Sequence, residues 1–160
     1  MPSRRDAIRM SEEELRHFLE SSRTIILNSI GPRGVPHPMP MWYALEDDGT
    51  IAVTTFAKSQ KVRNLERDPR VSLLVEAGEQ YDQLRGAVLY GRAEIERDVE
   101  AVLDVLSRVS QRMERAQGRG DARPEALRDA LRATAAKRVA IRVRPERVVS
   151  WDHRKLAGRY

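Results

Sequence analysis

The chain has 160 residues, 41% hydrophobic and 33% charged, with no cysteine and a formal charge of +5. That length suits one domain better than two small ones; roughly 70% of the extended chain's surface can be buried at this size, so neither disulfides nor a metal staple are needed. The missing cysteines exclude a disulfide framework, a Cys-ligated zinc or iron-sulfur centre, a cysteine nucleophile and thiol redox chemistry.

The positive surplus is local. Arg138, Arg142, Arg144, Arg147, Arg154, Lys155 and Arg159 face only Glu146 and Asp152 in residues 138–160, while the first 137 residues are balanced. Arginine outnumbers lysine 25 to four, so Lys58, Lys61, Lys137 and Lys155 mark places where the commoner cation was not used. The longest run without Asp, Glu, Lys or Arg is twelve residues, 34–45, and contains three prolines, far short of a membrane span. Arg4 and Arg5 are followed by charged residues where an export signal needs an apolar stretch, so a cytoplasmic protein is expected.

Ser11 and Glu14 form a capping-box pattern ahead of Leu15, Phe18 and Leu19, which predicts a helix within residues 1–22. Residues 23–30 are β-branched and end in Gly31-Pro32-Arg33-Gly34, a reversing turn. Residues 35–45 are the expected returning strand; its prolines at 36, 38 and 40 repeat at period two, which a ladder tolerates at an edge or on a side that meets a ligand. Asp47-Asp48-Gly49 then turns the chain into a strand over 50–56, completing a three-stranded meander. Val62 and Leu65 place a short helix over 58–67, ended by Asp68-Pro69. Strands follow over 71–75 and 84–95, the second holding Gly86 and Gly91, a sign of bulges or close backbone approach. Helices are predicted over 98–116 and, more weakly, 124–138, with an RGD tripeptide in the loop between that carries no functional weight. Two strands, 139–143 and 148–151, close the chain. This order is that of a small, mainly β antiparallel barrel with a helical insertion at 97–137.

Chemistry concentrates in residues 54–65. A strand ending in Thr54 and Thr55 leads through Lys58, Ser59 and Lys61 into a helix N-terminus, where free N–H groups and the positive dipole end favour an anion such as phosphate. The competing reading has Ser59 as a plain cap and both lysines solvated. His17, His37 and His153 pair with no carboxylate at a catalytic spacing and form no metal-ligand pattern. Any redox chemistry of a chain without thiols would come from a cofactor.

The run RTIILNSIGPRGVPHPMPMWYALEDDGTIAVTTFAKSQKVRNLERDPRVSLLVE, with LRGAVLYGRAEI and VVSWDHRKL, resembles the pyridoxamine 5'-phosphate oxidase-like split β-barrel superfamily, particularly the actinobacterial flavin/deazaflavin oxidoreductases. The likeness covers about residues 11–95 and 138–156, and KVRNLERDPRVSL and PMWY are its most specific parts. It implies a six-stranded antiparallel split barrel and a homodimer with two cofactor sites in the interface. It implies further that Pro38, Met39, Pro40, Met41 and Trp42 lie along the cofactor ring, largely through their backbone. Thr54, Thr55, Ser59 and Lys61 fall where relatives hold the cofactor phosphate. Gln60 stands where pyridoxamine phosphate oxidases have arginine, with Lys58 as a substitute cation, and Tyr81 lies in a loop that sends an aromatic toward the site, sometimes from the partner subunit.

The implied activity is hydride transfer between reduced coenzyme F420 and a small organic substrate, with FMN as the alternative cofactor. A different class, non-catalytic binding of haem or another tetrapyrrole, would use His37 or His153. Nucleic acid is not an expected partner: Arg142 and Arg144 alternate with Ile141 and Val143 as on any barrel strand, without interleaved aromatics. Arg154 and Lys155 remain candidates for the acidic tail of the coenzyme.

Overall fold

The computed structural model describes residues 3–119 and 124–157. The expected box at Ser11 and Glu14 caps α2 (Glu12–Ser21), and a second box, Ser3 with Asp6, opens an additional helix α1 (Arg4–Ile8) that sequence reading missed.

Seven antiparallel segments build the sheet: β1 (Thr24–Ile30), β2 (Pro36–Trp42), β3 (Ala44–Leu45), β4 (Ile51–Phe56), β5 (Arg70–Ala77), β6 (Arg85–Glu96) and β7 (Arg138–Asp152). Their lateral order is β2-β1-β5-β6-β7-β4-β3. The two ends of that order are one piece of chain, since β2 and β3 are separated only by Tyr43. Tyr43 is fully buried and donates its hydroxyl to the Leu19 carbonyl at 2.5 Å. There the expected single strand over 35–45 stops pairing with β1 and starts pairing with β4, so the six strands that the resemblance implies appear as seven segments and the sheet's two edges are joined by continuous chain.

Two expectations are corrected. The turn at Asp47-Asp48-Gly49 forms, but its ladder has only the pairs Ala44–Ala52 and Leu45–Ile51, and the long partner of β4 is β7. A flat meander is therefore absent, because closure carries β2 away to the other edge. The two closing strands are also one: β7 runs fifteen residues through Pro145, which pairs with Gly91 beside a register shift. The irregularity accommodates the missing proline N–H. A Cβ at Gly91 would lie 2.7 Å from the Arg144 carbonyl oxygen, so the close approach read from that glycine is real.

Alternation along the strands makes two apolar layers. Ile25, Leu27, Val53, Leu73, Leu89 and Ile141 fill the barrel interior. On the outer face, Ala44, Ala52 and Ala140 leave room for α4 (Val99–Ala116), which buries Val102, Leu103, Val105, Leu106 and Val109 there. Helix α5 (Pro124–Ala135) packs on α4 through Ala135 and Leu131. Gly120 and Asp121 of the RGD tripeptide, and Arg159, lie outside the described residues.

Candidate functional site

Among the described residues, strand β2 pairs only with β1, where Pro36, Pro38 and Pro40 stand opposite Ile30, Asn28 and Ile26. With alternate residues serving that ladder, the three absent N–H groups fall on the free edge, as the period-two spacing requires. Pro38, Pro40 and Trp42 are exposed, whereas Met39 and Met41 are half-buried. Trp42 leaves 56% of its surface open next to the fully buried Tyr43, the opposite orientation expected of neighbours on a strand.

Helix α3 (Gln60–Arg67) begins immediately after Ser59, which occupies the N-cap yet makes no side-chain capping bond. Its hydroxyl instead accepts from Thr55 Oγ1 at 3.4 Å, and Thr55 Oγ1 accepts from Lys61 Nζ at 3.0 Å. The donors thus run from Lys61 to Thr55 to Ser59, leaving the Ser59 proton and two ammonium protons without acceptors among the described residues. Lys61 is 8% exposed and has no acid beside it. Burial lowers its pKa, and the nearby positive charge of Arg138 lowers it further. A buried lysine supported by hydroxyls alone has donors to spare for an anion. Asn64, fully buried, explains another part of the motif: it donates to Ser29 Oγ at 3.0 Å and accepts from Gln60 Nε2 at 2.9 Å, fixing α3 against β1.

Beside this cradle, Thr24, Pro40, Met41, Trp42, Thr54 and Arg138 meet Leu106, Val109 and Ser110 of α4 around a cavity of about 440 Å³. Its lining, apolar with a few hydroxyls and one cation, suits a flat, mostly apolar group with polar edges. A larger cavity of about 620 Å³ lies between the end of α2 and α4, around Arg112, and holds none of the expected site residues.

The predicted residues are therefore brought together unequally. Thr55, Ser59 and Lys61 form one hydrogen-bonded cluster, while Pro40, Met41, Trp42 and Thr54 line the adjoining cavity. Pro38 and Met39 continue the same strand. Gln60 is spent on Asn64, and Lys58 is exposed outside the cluster. Tyr81, 60% exposed, stands at the far end of β6 and β7: its ring centre is 4.7 Å from that of His153, whose Nδ1 lies 2.9 Å from the Tyr81 carbonyl oxygen. Arg138 and Asp152 mark opposite ends of β7, so within one chain Tyr81 does not join the Lys61 cluster. Arg154 is held by Asp152 and Lys155 by Glu14, both at 2.5 Å, which leaves neither cation unneutralised for an acidic tail. Sequence reading missed Arg138 and the α4 wall. The first looks like Arg142 and Arg144 in sequence, and the helical pattern of the second reports burial without saying against what.

The family model for pyridoxamine 5'-phosphate oxidase matches residues 11–152. Among solved structures, conserved hypothetical protein Rv2991 from Mycobacterium tuberculosis is 45% identical, with 99% of this chain and 95% of that one covered and a TM-score of 0.83. An F420 reductase is 25% identical over 83% of this chain and 94% of its own, with a TM-score of 0.61. An FAD-binding protein from Mesorhizobium loti shares the fold at 20% identity, with 88% and 92% covered and a TM-score of 0.58. No curated protein matches the chain. A match that spans the barrel, the cradle and the closing strand together shows that this chain belongs to the pyridoxamine 5'-phosphate oxidase family.

Proposed function

We propose that the protein is a coenzyme F420-dependent oxidoreductase acting on a small organic substrate with an electrophilic carbon. The observation that carries this reading is Lys61: buried, without an acid, and aligned through Thr55 on a Ser59 hydroxyl that does not cap its helix. In this reading Lys61, Thr55 and Ser59 hold the cofactor phosphate. The backbone of Pro38–Trp42 and the α4 side chains Leu106 and Val109 sandwich the ring system and exclude water from it. When bound, the reduced cofactor supplies a hydride, and the substrate completes its reduction with a proton from solvent. The described residues present no acid-base pair at the cavity, so the chain's own contribution is binding, orientation and charge. The likeness to an F420 reductase and the use of Gln60 where pyridoxamine phosphate oxidases have arginine favour the deazaflavin.

The site is shared between two copies of the chain in this reading. Exposed Trp42 and Phe56 and the unpaired edge of β2 support an interface there, with Tyr81 contributed by the partner subunit. FMN is the second reading, supported by two cations, Lys61 and Arg138, that are tied to neighbouring residues of β4 and suit a phosphate monoester. Titrating the purified protein with coenzyme F420 and with FMN, followed by fluorescence quenching, tests the assignment. F420 binding is expected; FMN binding alone reverses the preference, and haem absorption in the purified protein with neither flavin bound overturns the redox reading.

A further inference from the structure

The strand that closes the barrel begins with a cation whose surroundings are incomplete. Arg138 Nε is shielded from solvent and lacks a hydrogen-bond acceptor, alone among the buried side-chain nitrogens and oxygens of the described residues. The guanidinium lies 4.4 Å from the centre of the Phe56 ring, and Nη1 reaches the Thr54 carbonyl at 3.4 Å. Its Nε–Nη2 edge, the edge that takes phosphate or carboxylate through two parallel hydrogen bonds, is unused. Arg142, on the same face of β7, shows what a settled arginine looks like here: Glu46 takes it at 3.2 Å. Arg138 has no such acid among the described residues.

Lys61, buried, likewise has no acid beside it among the described residues. Thr55 Oγ1 anchors it, and the carbonyl of the preceding residue, Thr54, anchors Arg138, so both heads are tied to one short piece of β4. Burial lowers the Lys61 pKa, and the positive charge of Arg138 lowers it further. Two like charges in a partly buried place repel each other, and an anion between them turns that repulsion into attraction.

We propose that Arg138 is the second cation of the phosphate site, its Nε–Nη2 edge and the Lys61 ammonium taking the same phosphate group. This rests on the reading that the Lys61, Thr55 and Ser59 cradle receives a phosphate. Arg138 is then a binding residue supplied by the strand after the helical insertion, outside the stretch in which the sequence concentrates its anion-binding features.

The test compares ligands with and without the phosphate: FMN against riboflavin, which differ only in that group, and coenzyme F420 against its deazaflavin core, which lacks the phosphate together with the acidic tail, with inorganic phosphate followed by calorimetry. In the full-length protein, Arg138→Gln is expected to weaken the phosphate-bearing ligand by about ten- to a hundredfold and leave its phosphate-free counterpart unchanged. Arg138→Lys should recover part of the loss. Combined with Lys61→Ala, the losses should fall short of multiplying, as for two residues that share one partner. If the wild type prefers the phosphorylated ligand and Arg138→Gln keeps that preference in full, the proposal is overturned while the phosphate reading stands. If the wild type shows no preference and no heat with inorganic phosphate, the underlying reading fails and the proposal fails with it. Should Arg138→Gln not fold by circular dichroism, Arg138→Lys decides, because it keeps the charge and loses the two-pronged edge; unchanged FMN and F420 affinities overturn the proposal.

Discussion

Lys61 Nζ donates to Thr55 Oγ1 at 3.0 Å, from opposite sides of the turn that joins β4 to α3. A single hydroxyl cannot satisfy a buried ammonium, and the two remaining protons are what a phosphate would take. Lys61→Ala should therefore weaken binding of the phosphate-bearing cofactor by about 1–3 kcal/mol, measured by fluorescence titration. An unchanged affinity removes Lys61 from the site.

The lowered pKa of Lys61 gives the site an alkaline limit. Burial and Arg138 make the proton leave below the ordinary value of 10.5, and anion binding needs that proton. Affinity should fall as pH rises through the Lys61 pKa, with proton uptake on binding in that window. The unliganded protein should move the other way: the unfolded chain holds this proton more tightly, so stability rises between the folded pKa and 10.5. Calorimetry in buffers of different ionisation enthalpy and thermal melts over the same pH range check both signs. Lys61→Arg should abolish the binding limit.

Ser110 faces the cavity from α4, half-buried, across from Pro40 and Trp42. Ser110→Trp should obstruct the ring-binding space and lower cofactor affinity at least about tenfold, while heats with inorganic phosphate persist, since the cradle lies outside that wall. Equal loss of both would place the ring elsewhere.

Gly86 marks a contact that no other residue allows. A Cβ there would stand 2.3 Å from Trp151 Cζ2, so Gly86→Ala forces the indole aside. We expect a loss of about 1–3 kcal/mol in urea unfolding, partly restored when Trp151→Leu is added. Full stability of the single variant would mean the indole moves freely.

Arg112 joins α4 to the end of α2. Its guanidinium donates to the carbonyls of Leu19, Glu20, Ser22 and Tyr43 and lies 4.2 Å from the centre of the Tyr43 ring. Arg112→Ala leaves these carbonyls without that donor and should cost about 2 kcal/mol by thermal or chemical unfolding. Arg112→Lys should restore only part, because one ammonium cannot span the set.

Local chemistry determined much of this protein. The box at Ser11 and Glu14, the turn at Gly49, the prolines of β2 and the period switch into α3 are each decided by a few neighbouring residues, so the elements and the Thr55–Ser59–Lys61 cluster were legible in the sequence. What depended on distant residues was not. The strand broken at Tyr43, the single long β7 and the two-residue ladder of β3 follow from closure of the sheet, which no local pattern encodes. The same holds for the site. Arg138 differs from Arg142 only because Glu46 faces one and no described acid faces the other, and the α4 wall exists because Ala44, Ala52 and Ala140 let a helix approach. Sequence could locate the helix start proposed to take an anion because turn chemistry and charge are local; Arg138 and the cavity had to wait for the tertiary structure, because electrostatic pairing and packing are properties of residues far apart in the chain.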